Sequence, residues 1–332
     1  MTSPTIAVAI AHYLDTVKLA RSEHTARSYK NALNAFQLVL VEYWLEPSTT
    51  PITSLTEDMI AKLAAYLKNF SPATEQLYIQ AVSGFYKFLA AERLVDVNLP
   101  RLELLIKQRA RKPGLRLPQF PAEDIERLLE HMSNNRMLMG VSGVGRLRAM
   151  RDRAFLLTLA DTGLRVHEAC ELRRGDIDWN EGRALIIGKG DKQALIRFST
   201  RAMNALKDYL STRAELDGGS GRPLPSLPLF ARHDKGAGKK VKPMTTTTGR
   251  NIVTERVKEI LGPGSEGKIT PHSFRHYFVT TVLRASGNLK LAQELARHKN
   301  IQVTQRYAHL SDDELDKGYY EIFEKNSSSH QT

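Results

Sequence analysis

Apolar residues recur at helical spacing through the first part of the chain. Ile6, Ile10 and Val17 fall on one face of a predicted first helix. Ser71 and Pro72 supply an N-cap and a first helical residue for a later helix. Two further stripes lie between them: Tyr29, Leu33, Phe36 and Leu40, then Ile60, Leu63 and Leu67 behind the predicted cap Thr56. Four amphipathic helices of this kind predict a bundle whose apolar faces form the core.

Beyond this bundle, the pattern alternates between helical and extended segments. Ala149–Ala160 predicts a helix that Gly163 ends. Arg183–Gly188 and Ala194–Ser199 are short apolar runs on either side of a turn that contains Gly and Asp, which predicts a β-hairpin. The predicted fold class is therefore mainly α (α+β), with a helical N-terminal domain and a mixed domain that contains a small antiparallel sheet.

Three segments carry turn residues and break these patterns. Gly140–Gly145 does not follow a strand, as a dinucleotide-binding loop requires, and indicates a flexible connection. Asp217–Pro243 is rich in Gly, Pro and Lys and predicts a loop. Pro113 and Gly114 oppose a helix inside the basic stretch that runs from Lys107 to Arg116, and this predicts an extended chain there. The predicted division is a helical domain at 1–112, a basic linker at 113–119 and a second domain at 120–332.

The net charge of the chain indicates what kind of partner it binds. The chain has 332 residues, with 48 Lys and Arg against 36 Asp and Glu, which gives a net charge of +12. Such a charge favours a polyanionic partner, most simply nucleic acid. The basic stretch would lie along a phosphate backbone, or else form a solvated connector. Its candidate phosphate contacts are Lys107, Arg109, Arg111 and Lys112.

The same composition excludes several classes of protein. The only cysteine, Cys170, excludes an internal disulfide framework and a Cys-rich zinc site. No apolar run approaches the length of a membrane span, and the N-terminus lacks a signal-peptide pattern. We therefore expect a cytoplasmic protein that associates with the nucleoid and has no membrane partner.

Four segments of the second domain concentrate arginine, lysine, histidine and tyrosine. Arg165 stands at a predicted helix start, with Glu168 one turn further on. A cation opposes the helix dipole there, unless an anion is bound beside it. Taken singly, this pair is typical of an exposed ion pair. The other candidates are a lysine at the hairpin tip, a histidine and an arginine behind the predicted cap Thr270, and a histidine followed by a tyrosine: Lys189, His272, Arg275, His298 and Tyr307.

Taken together, in this order and spacing, the segments resemble the tyrosine recombinase (phage integrase) family. The length is similar to its two-domain members of the Xer and Cre type. The resemblance implies a helical domain that binds core sites and a catalytic domain of the tyrosine recombinase fold, which form a C-shaped clamp around duplex DNA. Asp217–Pro243 is longer than in compact members and is either an extra DNA contact or a flexible loop. Two residues depart from the pattern: His167 where a small polar residue is usual, and Arg297 where glycine precedes the second histidine.

The resemblance also implies a chemistry in which cations offset the charge of a phosphodiester. Arg165 and Arg275 would hold the scissile phosphate. Both histidines would add hydrogen bonds, and the first would also move a proton. Tyr307 would attack phosphorus and form a 3′-phosphotyrosyl link, while Lys189 would protonate the departing 5′ oxygen. Glu168 would support Arg165, and neither a metal ion, ATP nor another cofactor would be needed.

The resemblance further implies an assembly. Four subunits would synapse two sites with inverted-repeat core sequences and exchange strands through a Holliday junction, whereas the free protein would be monomeric. Ser311–Lys325 predicts an amphipathic exchange helix that packs either on a neighbouring subunit or within its own chain. The alternatives are a type IB topoisomerase, which uses the same chemistry without site preference, and a catalytically inert DNA-binding relative.

Overall fold

The computed structural model describes residues 3–111, 121–134, 141–188, 192–234, 236–238, 240–298 and 300–305. The chain divides into two compact units, Met1–Leu115 and Arg116–Thr332. The predicted linker, 113–119, and the predicted exchange helix lie outside the described residues, so the predicted domain boundaries stay predictions. No helix within the described ranges is long and apolar enough to cross a lipid bilayer.

In its described residues, 3–111, the first unit is a bundle of five α-helices. Their apolar stripes meet in one core, in which Leu33, Phe36, Leu63 and Phe85 are fully buried, as the helical spacing predicts. The helices are α1 (Ile6–Ala20), α2 (Glu23–Glu42), α3 (Asp58–Tyr66), α4 (Pro72–Ala91) and α5 (Leu99–Arg109).

A side-chain cap fixes where α4 begins, whereas α3 begins without one. Ser71 accepts a hydrogen bond from the N–H of Thr74 (3.1 Å), which confirms the predicted start of α4. The prediction of Thr56 as the cap of α3 is wrong, because Glu57 is the N-cap residue and forms no side-chain cap bond.

The fifth helix occupies part of the stretch predicted to be an extended linker. Asn98 caps α5 by accepting a hydrogen bond from the N–H of Arg101 (3.0 Å). Lys107 and Arg109 therefore lie in its last turn, where cations complement the helix dipole. The prediction of an extended chain is wrong for these two residues, because the proline and glycine that oppose a helix follow only at 113 and 114.

A buried carboxylate anchors the end of the first unit. Glu75 on α4 is fully buried. It accepts hydrogen bonds from the backbone N–H of Arg111 (2.8 Å), from the Nε of the same residue and from Nζ of Lys68 (2.9 Å). The Arg111 guanidinium also donates to the carbonyl oxygens of Leu67 and Phe70. Although burial opposes ionisation, these donors hold the pKa of Glu75 below its usual value.

The second unit is built around one long helix, α7 (Gly143–Thr162), which is buried along most of its length. It begins earlier than the predicted start at Ala149, so Gly143 and Gly145 lie in its first turn rather than in a connection. The other helices are α6 (Ala122–Ser133), α8 (Val166–Glu171), α9 (Thr200–Thr212), α10 (Ala214–Gly218), α11 (Thr246–Leu261), α12 (Pro271–Ser286), α13 (Leu289–Ala296) and α14 (Ile301–Gln305). Of these, α6, α9 and α12 pack directly on α7.

Among the residues that the structure describes in this unit, three short antiparallel strands form a sheet, in the order β1 (Ile177–Asp178), β2 (Arg183–Gly188) and β3 (Lys192–Arg197). Leu185 pairs with Leu195, and both are exposed. Their neighbours on the other face are buried, as the two-residue period of a strand requires: Ala184, Ile186 and Ile196. The predicted β-hairpin and the predicted fold class, mainly α with a small antiparallel sheet, are confirmed.

The described residues of the segment Asp217–Pro243 pack against the core of the second unit, of which the segment is a part. Phe230 within it is fully buried and meets the ring of Phe155 on α7 edge to face, with 5.2 Å between the ring centroids. Arg213, also fully buried, donates hydrogen bonds to Asp217 (2.8 Å) and to two carbonyl oxygens of the segment. The alternative of a flexible loop is therefore wrong for the described part of the segment, because apolar contacts and buried charge pairs hold it in place.

Cys170 on α8 lies inside the same core. The residue is 3% exposed, and its Sγ lies 3.5 Å from the carbonyl oxygen of Thr245. Burial, with a smaller contribution from the charge of Glu171, raises the pKa of the thiol to about 12. The thiol is therefore uncharged at neutral pH.

Candidate active site

A glycine turn at the end of α7 places the first candidate arginine. Gly163 has a φ of 60°, and a Cβ at this position would lie 2.4 Å from the ring of Phe278, so glycine is required. The chain then extends through Arg165 (φ −72°, ψ 151°), which is the N-cap residue of α8. The Arg165 side chain is 45% exposed, which leaves it accessible to a ligand.

The carboxylate of Glu168 holds Arg165 by two hydrogen bonds. One oxygen accepts the backbone N–H of Arg165 (2.8 Å), and the other accepts its Nη1 (2.9 Å). A third donor comes from Arg297, whose Nη2 lies 3.0 Å from the carboxylate. Burial opposes the ionised form, but the charge of Arg297 and the bonds from Arg165 bring the pKa of Glu168 below its ordinary value. The predicted contact between Arg165 and Glu168 is therefore present.

The N-terminal turn of α12 carries the next two candidates, His272 and Arg275, one turn apart. The helix begins as predicted behind Thr270, whose N–H donates to Oγ of Ser273 (3.1 Å). Pro271 fills the first helical position, where no backbone donor is needed. His272 is exposed in this first turn, close to the N–H groups of a helix N-terminus, which favour an anion.

Arg275 ties three segments of the unit together. The residue is 2% exposed. Its Nη1 donates a hydrogen bond to the carbonyl oxygen of Gly163 (2.6 Å), and its Nη2 donates one to the carbonyl oxygen of Ala296. The first acceptor lies just before Arg165 in the chain, and the second lies just before the turn that carries His298. One side chain therefore holds both turns.

His298 follows a left-handed turn that ends α13. Arg297 adopts φ 56° and ψ 45°, and the N–H of His298 donates to the carbonyl oxygen of Gln293 (3.1 Å). The imidazole Nδ1 lies 2.9 Å from Oγ1 of Thr304, a fully buried residue of α14. This hydrogen bond fixes the orientation of the ring.

The imidazoles of the cluster are uncharged at neutral pH. Partial burial, followed by the charges of Arg275 and Arg165, lowers the pKa of His272, and the same causes lower the pKa of His298 to about 4. His276 packs its ring on His272, with 4.3 Å between the ring centroids. Burial, then His272 and Arg275, lower the pKa of His276 to about 4. The rings of His272 and His276 are in contact, and the hydrogen bonds of Arg275 hold the turns that carry Arg165 and His298, so these side chains form one cluster.

The structure thus brings together four of the six predicted catalytic residues, with Glu168 beside them: Arg165, His272, Arg275 and His298. The other two, Lys189 and Tyr307, lie outside the described residues. Within the described ranges, no three His, Cys, Asp or Glu side chains are grouped so that they could hold a metal ion.

The four predicted phosphate contacts have different surroundings. Lys107 and Arg109 are exposed on the last turn of α5. Arg111 is tied to Glu75 and to backbone carbonyl oxygens, so its guanidinium is already engaged. Lys112 lies outside the described residues.

Two residues join the cluster without a role assigned from the sequence. His276 lies four positions after His272 on one helix, and this spacing is a signal that places both on the same face. Arg297 reaches Glu168 only because its backbone is left-handed. The glycine that is usual here in the resembling family indicates such a turn, but no pattern in the sequence indicates that an arginine at this position contacts Glu168.

The cluster combines fixed cations with proton acceptors. Two guanidinium groups, held by a carboxylate and by backbone carbonyl oxygens, stand beside neutral imidazoles. Guanidinium groups bind the oxygens of a phosphate, and a neutral imidazole can accept a proton. The arrangement therefore suits stabilisation of negative charge that develops on a phosphorus centre.

Both units match models of one family. Residues 119–314 match the phage integrase family, and residues 10–93 match the phage integrase N-terminal SAM-like domain. Tyrosine recombinase XerC of Bacillus subtilis (strain 168) is 34% identical over 257 residues, which cover 77% of this chain and 76% of the relative. Tyrosine recombinase XerC of Thermodesulfovibrio yellowstonii is 30% identical over 307 residues, which cover 91% of each chain.

Solved structures share the fold. The post-cleavage complex of XerH site-specific recombinase with a palindromic difH substrate has a TM-score of 0.68 at 19% identity, over 96% of this chain and 99% of that chain. A lambda integrase dimer bound to a COC′ core site has a TM-score of 0.63 at 18% identity, over 93% and 78%. The fold and the matches define the class of protein as a tyrosine site-specific recombinase. The chain belongs to the phage integrase family, as the order of its motifs predicts.

Proposed function

We propose that this recombinase cleaves and rejoins duplex DNA through a covalent 3′-phosphotyrosyl link at Tyr307. The proposal rests on one observation: the guanidinium of Arg275 donates hydrogen bonds to the turn before Arg165 and to the turn before His298. The groups that would donate to a phosphate are therefore held near one another. A phosphodiester resists attack because it is an anion. Cations that are in place beforehand offset this charge without reorganising during the reaction.

The reaction forms one bond to phosphorus and breaks another. The phenol oxygen of Tyr307 attacks, and the bond from phosphorus to the 5′ oxygen breaks. The phenol proton passes to His272, and the 5′ oxygen leaves as a hydroxyl group with a proton from Lys189. In the second half, a 5′ hydroxyl group of the partner strand attacks the phosphotyrosine and gives its proton to Lys189, and Tyr307 leaves as a phenol with the proton from His272. Because the covalent link conserves the phosphodiester bond energy, strand rejoining requires no ATP.

The protonation state of His272 supports its role as the base. A phenol has an ordinary pKa near 10, so the attacking tyrosine must lose its proton at neutral pH. Burial and the charges of Arg275 and Arg165 lower the pKa of His272, which keeps the imidazole neutral and able to accept that proton. The same two guanidinium groups would stabilise the charge that then develops on the phosphate oxygens.

Duplex DNA with inverted-repeat core sites is the proposed partner. The net charge of +12 supports it, and the similar XerH and lambda integrase structures contain a difH substrate and a COC′ core site. Lys107, Arg109 and Lys112 would contact phosphates, whereas Arg111 would contribute less because Glu75 already engages it.

The proposed assembly follows from the family. A helical domain at 1–112 and a catalytic domain at 120–332, joined by the basic linker, would bind each core site. A homotetramer would exchange strands through a Holliday junction in the cytoplasm, at the nucleoid, and the free protein would be a monomer. Neither alternative from the sequence, a type IB topoisomerase or an inert DNA-binding relative, is favoured by the comparisons, whose relatives are recombinases by name.

Covalent trapping tests the proposal. Fragments of the replicon that encodes the protein are incubated with it in EDTA and without ATP, and protein-linked DNA is recovered in detergent and sequenced. We expect cleavage at a defined site, and a nicked suicide duplex of that site should then accumulate a covalent complex with wild-type protein. Recovery of no linked DNA at all would contradict the proposal. Relaxation of supercoiled plasmids that lack the site would instead indicate a topoisomerase.

Tyrosine variants test the assignment of the nucleophile. Tyr307→Phe should form no covalent complex while it still retards the duplex in a gel. The matched controls are Tyr277→Phe and Tyr320→Phe, which change other tyrosines of the catalytic domain and should still be trapped. A covalent complex with Tyr307→Phe would show that another residue attacks.

A further inference from the structure

Arg297 has a backbone conformation that disfavours its own side chain. Its φ of 56° and ψ of 45° lie in the left-handed region, where α13 ends. Glycine is preferred at such a helix end, because a Cβ crowds the neighbouring carbonyl group there. The local backbone therefore gives no reason for an arginine at this position.

Burial of the Arg297 guanidinium also has a cost. The side chain is 14% exposed. Its Nε and Nη1 atoms are buried, and among the described residues neither has a hydrogen-bond acceptor. Buried donors without acceptors destabilise a protein. The shorter polar contact of this side chain is the hydrogen bond from Nη2 to Glu168 (3.0 Å), and the same nitrogen lies 3.5 Å from the carbonyl oxygen of Gly163.

That contact links two segments that the proposed chemistry needs. Glu168 also accepts both hydrogen bonds that hold Arg165, and Arg297 directly precedes His298 in the chain. One buried carboxylate, 7% exposed, therefore connects the turn of Arg165 with the turn of His298. This connection runs beside the one that Arg275 makes through backbone carbonyl oxygens.

From these contacts we infer that Arg297 is a positioning residue, which fixes the Glu168 carboxylate and through it the guanidinium of Arg165 relative to His298. The inference rests on the proposed function, in which Arg165 and His298 bind the same phosphate. A small displacement of either group weakens stabilisation of the transition state more than it weakens DNA binding, because many other phosphate contacts hold the duplex.

Replacement by glycine separates this role from a purely structural one. Arg297→Gly relieves the left-handed backbone and removes the buried unpaired donors, and these gains offset the loss of the ion pair with Glu168, so its melting temperature should stay close to that of the wild type. The single-turnover rate of covalent complex formation on the nicked suicide duplex should nevertheless fall by about 10- to 100-fold. The affinity for the same duplex, measured by gel retardation, should not change.

Two further variants sharpen the comparison. Arg297→Lys keeps a cation that can reach Glu168 and should recover part of the lost rate. Arg93→Gly is the matched control, because Arg93 is an exposed arginine with a φ of 53° in the first unit. It makes the same exchange at a similar positive φ, and it should cleave like the wild type.

A double-mutant cycle shows whether Arg297 acts through Glu168. Glu168→Gln alone should slow cleavage, and in that background Arg297→Gly should change the rate by less than about twofold. Equal effects of Arg297→Gly in both backgrounds would overturn the inference, as would wild-type cleavage by Arg297→Gly or a loss of its folded state. If wild-type protein forms no covalent complex with any DNA, the proposed function itself fails, which is a different result.

Discussion

The guanidinium of Arg275 donates a hydrogen bond of 2.6 Å to the carbonyl oxygen of Gly163, which lies 112 positions earlier in the chain. Its other terminal nitrogen donates to Ala296. A residue proposed to bind a phosphate is thus also a structural tie between three segments. Variants of this arginine should therefore lose stability as well as activity, and the two losses can be measured separately.

Arg275→Ala should reduce the free energy of unfolding by about 2–5 kcal/mol, because the buried carbonyl oxygen of Ala296 loses this donor and that of Gly163 keeps only a long contact with Arg297. Arg275→Lys should retain part of the stability but lose cleavage, because an ammonium group lacks the planar pair of donors. Urea denaturation and covalent trapping measure the two effects. The matched control, Arg284→Ala, changes an exposed arginine of the same helix and should stay within about 0.5 kcal/mol. Equal stabilities for the two alanine variants would contradict the prediction.

Stability should fall as the pH is lowered from about 6.5 to about 4, partly because of His298. Burial and the charges of Arg275 and Arg165 lower its pKa from 6.5 to about 4. In this window the unfolded chain binds a proton that the folded protein does not, so unfolding becomes easier as the pH falls, and the contribution is fully present above pH 6.5. His298→Gln should flatten the dependence measured by urea denaturation between pH 7.5 and 4.5.

The matched control for this titration is His24→Gln, which changes an exposed histidine at the start of α2. It should keep the wild-type dependence of unfolding free energy on pH. The same steepness in His298→Gln and in the wild type would be incompatible with a depressed pKa at that residue.

Lys189→Ala should cleave an ordinary duplex slowly but recover on a duplex with a bridging 5′ sulfur at the scissile phosphate. A thiolate leaves without a proton, so the proposed acid is not needed. Arg165→Ala provides the contrast, because it removes a phosphate donor rather than the acid and should not recover. Single-turnover trapping on both substrates makes the comparison. Absence of recovery for Lys189→Ala would remove lysine from the role of acid.

Glu75→Gln should reduce the free energy of unfolding of the first unit by about 1–3 kcal/mol. The change leaves Arg111 and Lys68 beside a neutral amide, but both cations are partly exposed, so water offsets some of the loss. Scanning calorimetry of the full chain measures the effect. Glu103→Gln removes an exposed partner of Lys87 and should change the stability by less than about 0.5 kcal/mol. Similar shifts in both variants would contradict the prediction.

The sequence predicted those features whose causes are local. The adjacent residues Thr270 and Pro271 determine where α12 begins, and the apolar runs on either side of the Gly-containing turn form the hairpin. The order of the motifs was sufficient to identify the family, because each motif is a short local pattern. Glu168 could be placed beside Arg165 for the same reason, since the two are one helical turn apart.

The contacts that the sequence did not predict join residues that are far apart in the chain. Arg111 meets Glu75 across 36 positions, and Arg297 meets Glu168 across 129. Hydrophobic periodicity carries no information about such pairs, because their geometry depends on how separate helices pack. The fifth helix of the first unit was not predicted for a different reason. The basic residues before Pro113 suggested a linker, although Asn98 caps a helix there.

The concealed thiol of Cys170 makes the wild-type chain a convenient starting point for site-directed labelling. Maleimide and iodoacetamide reagents attack accessible thiolates, and this side chain is both shielded and protonated. A cysteine engineered at any exposed position would therefore react alone, without prior removal of the native one. Donor and acceptor fluorophores attached in this way would report the gathering of subunits on a duplex by energy transfer, in solution and in real time.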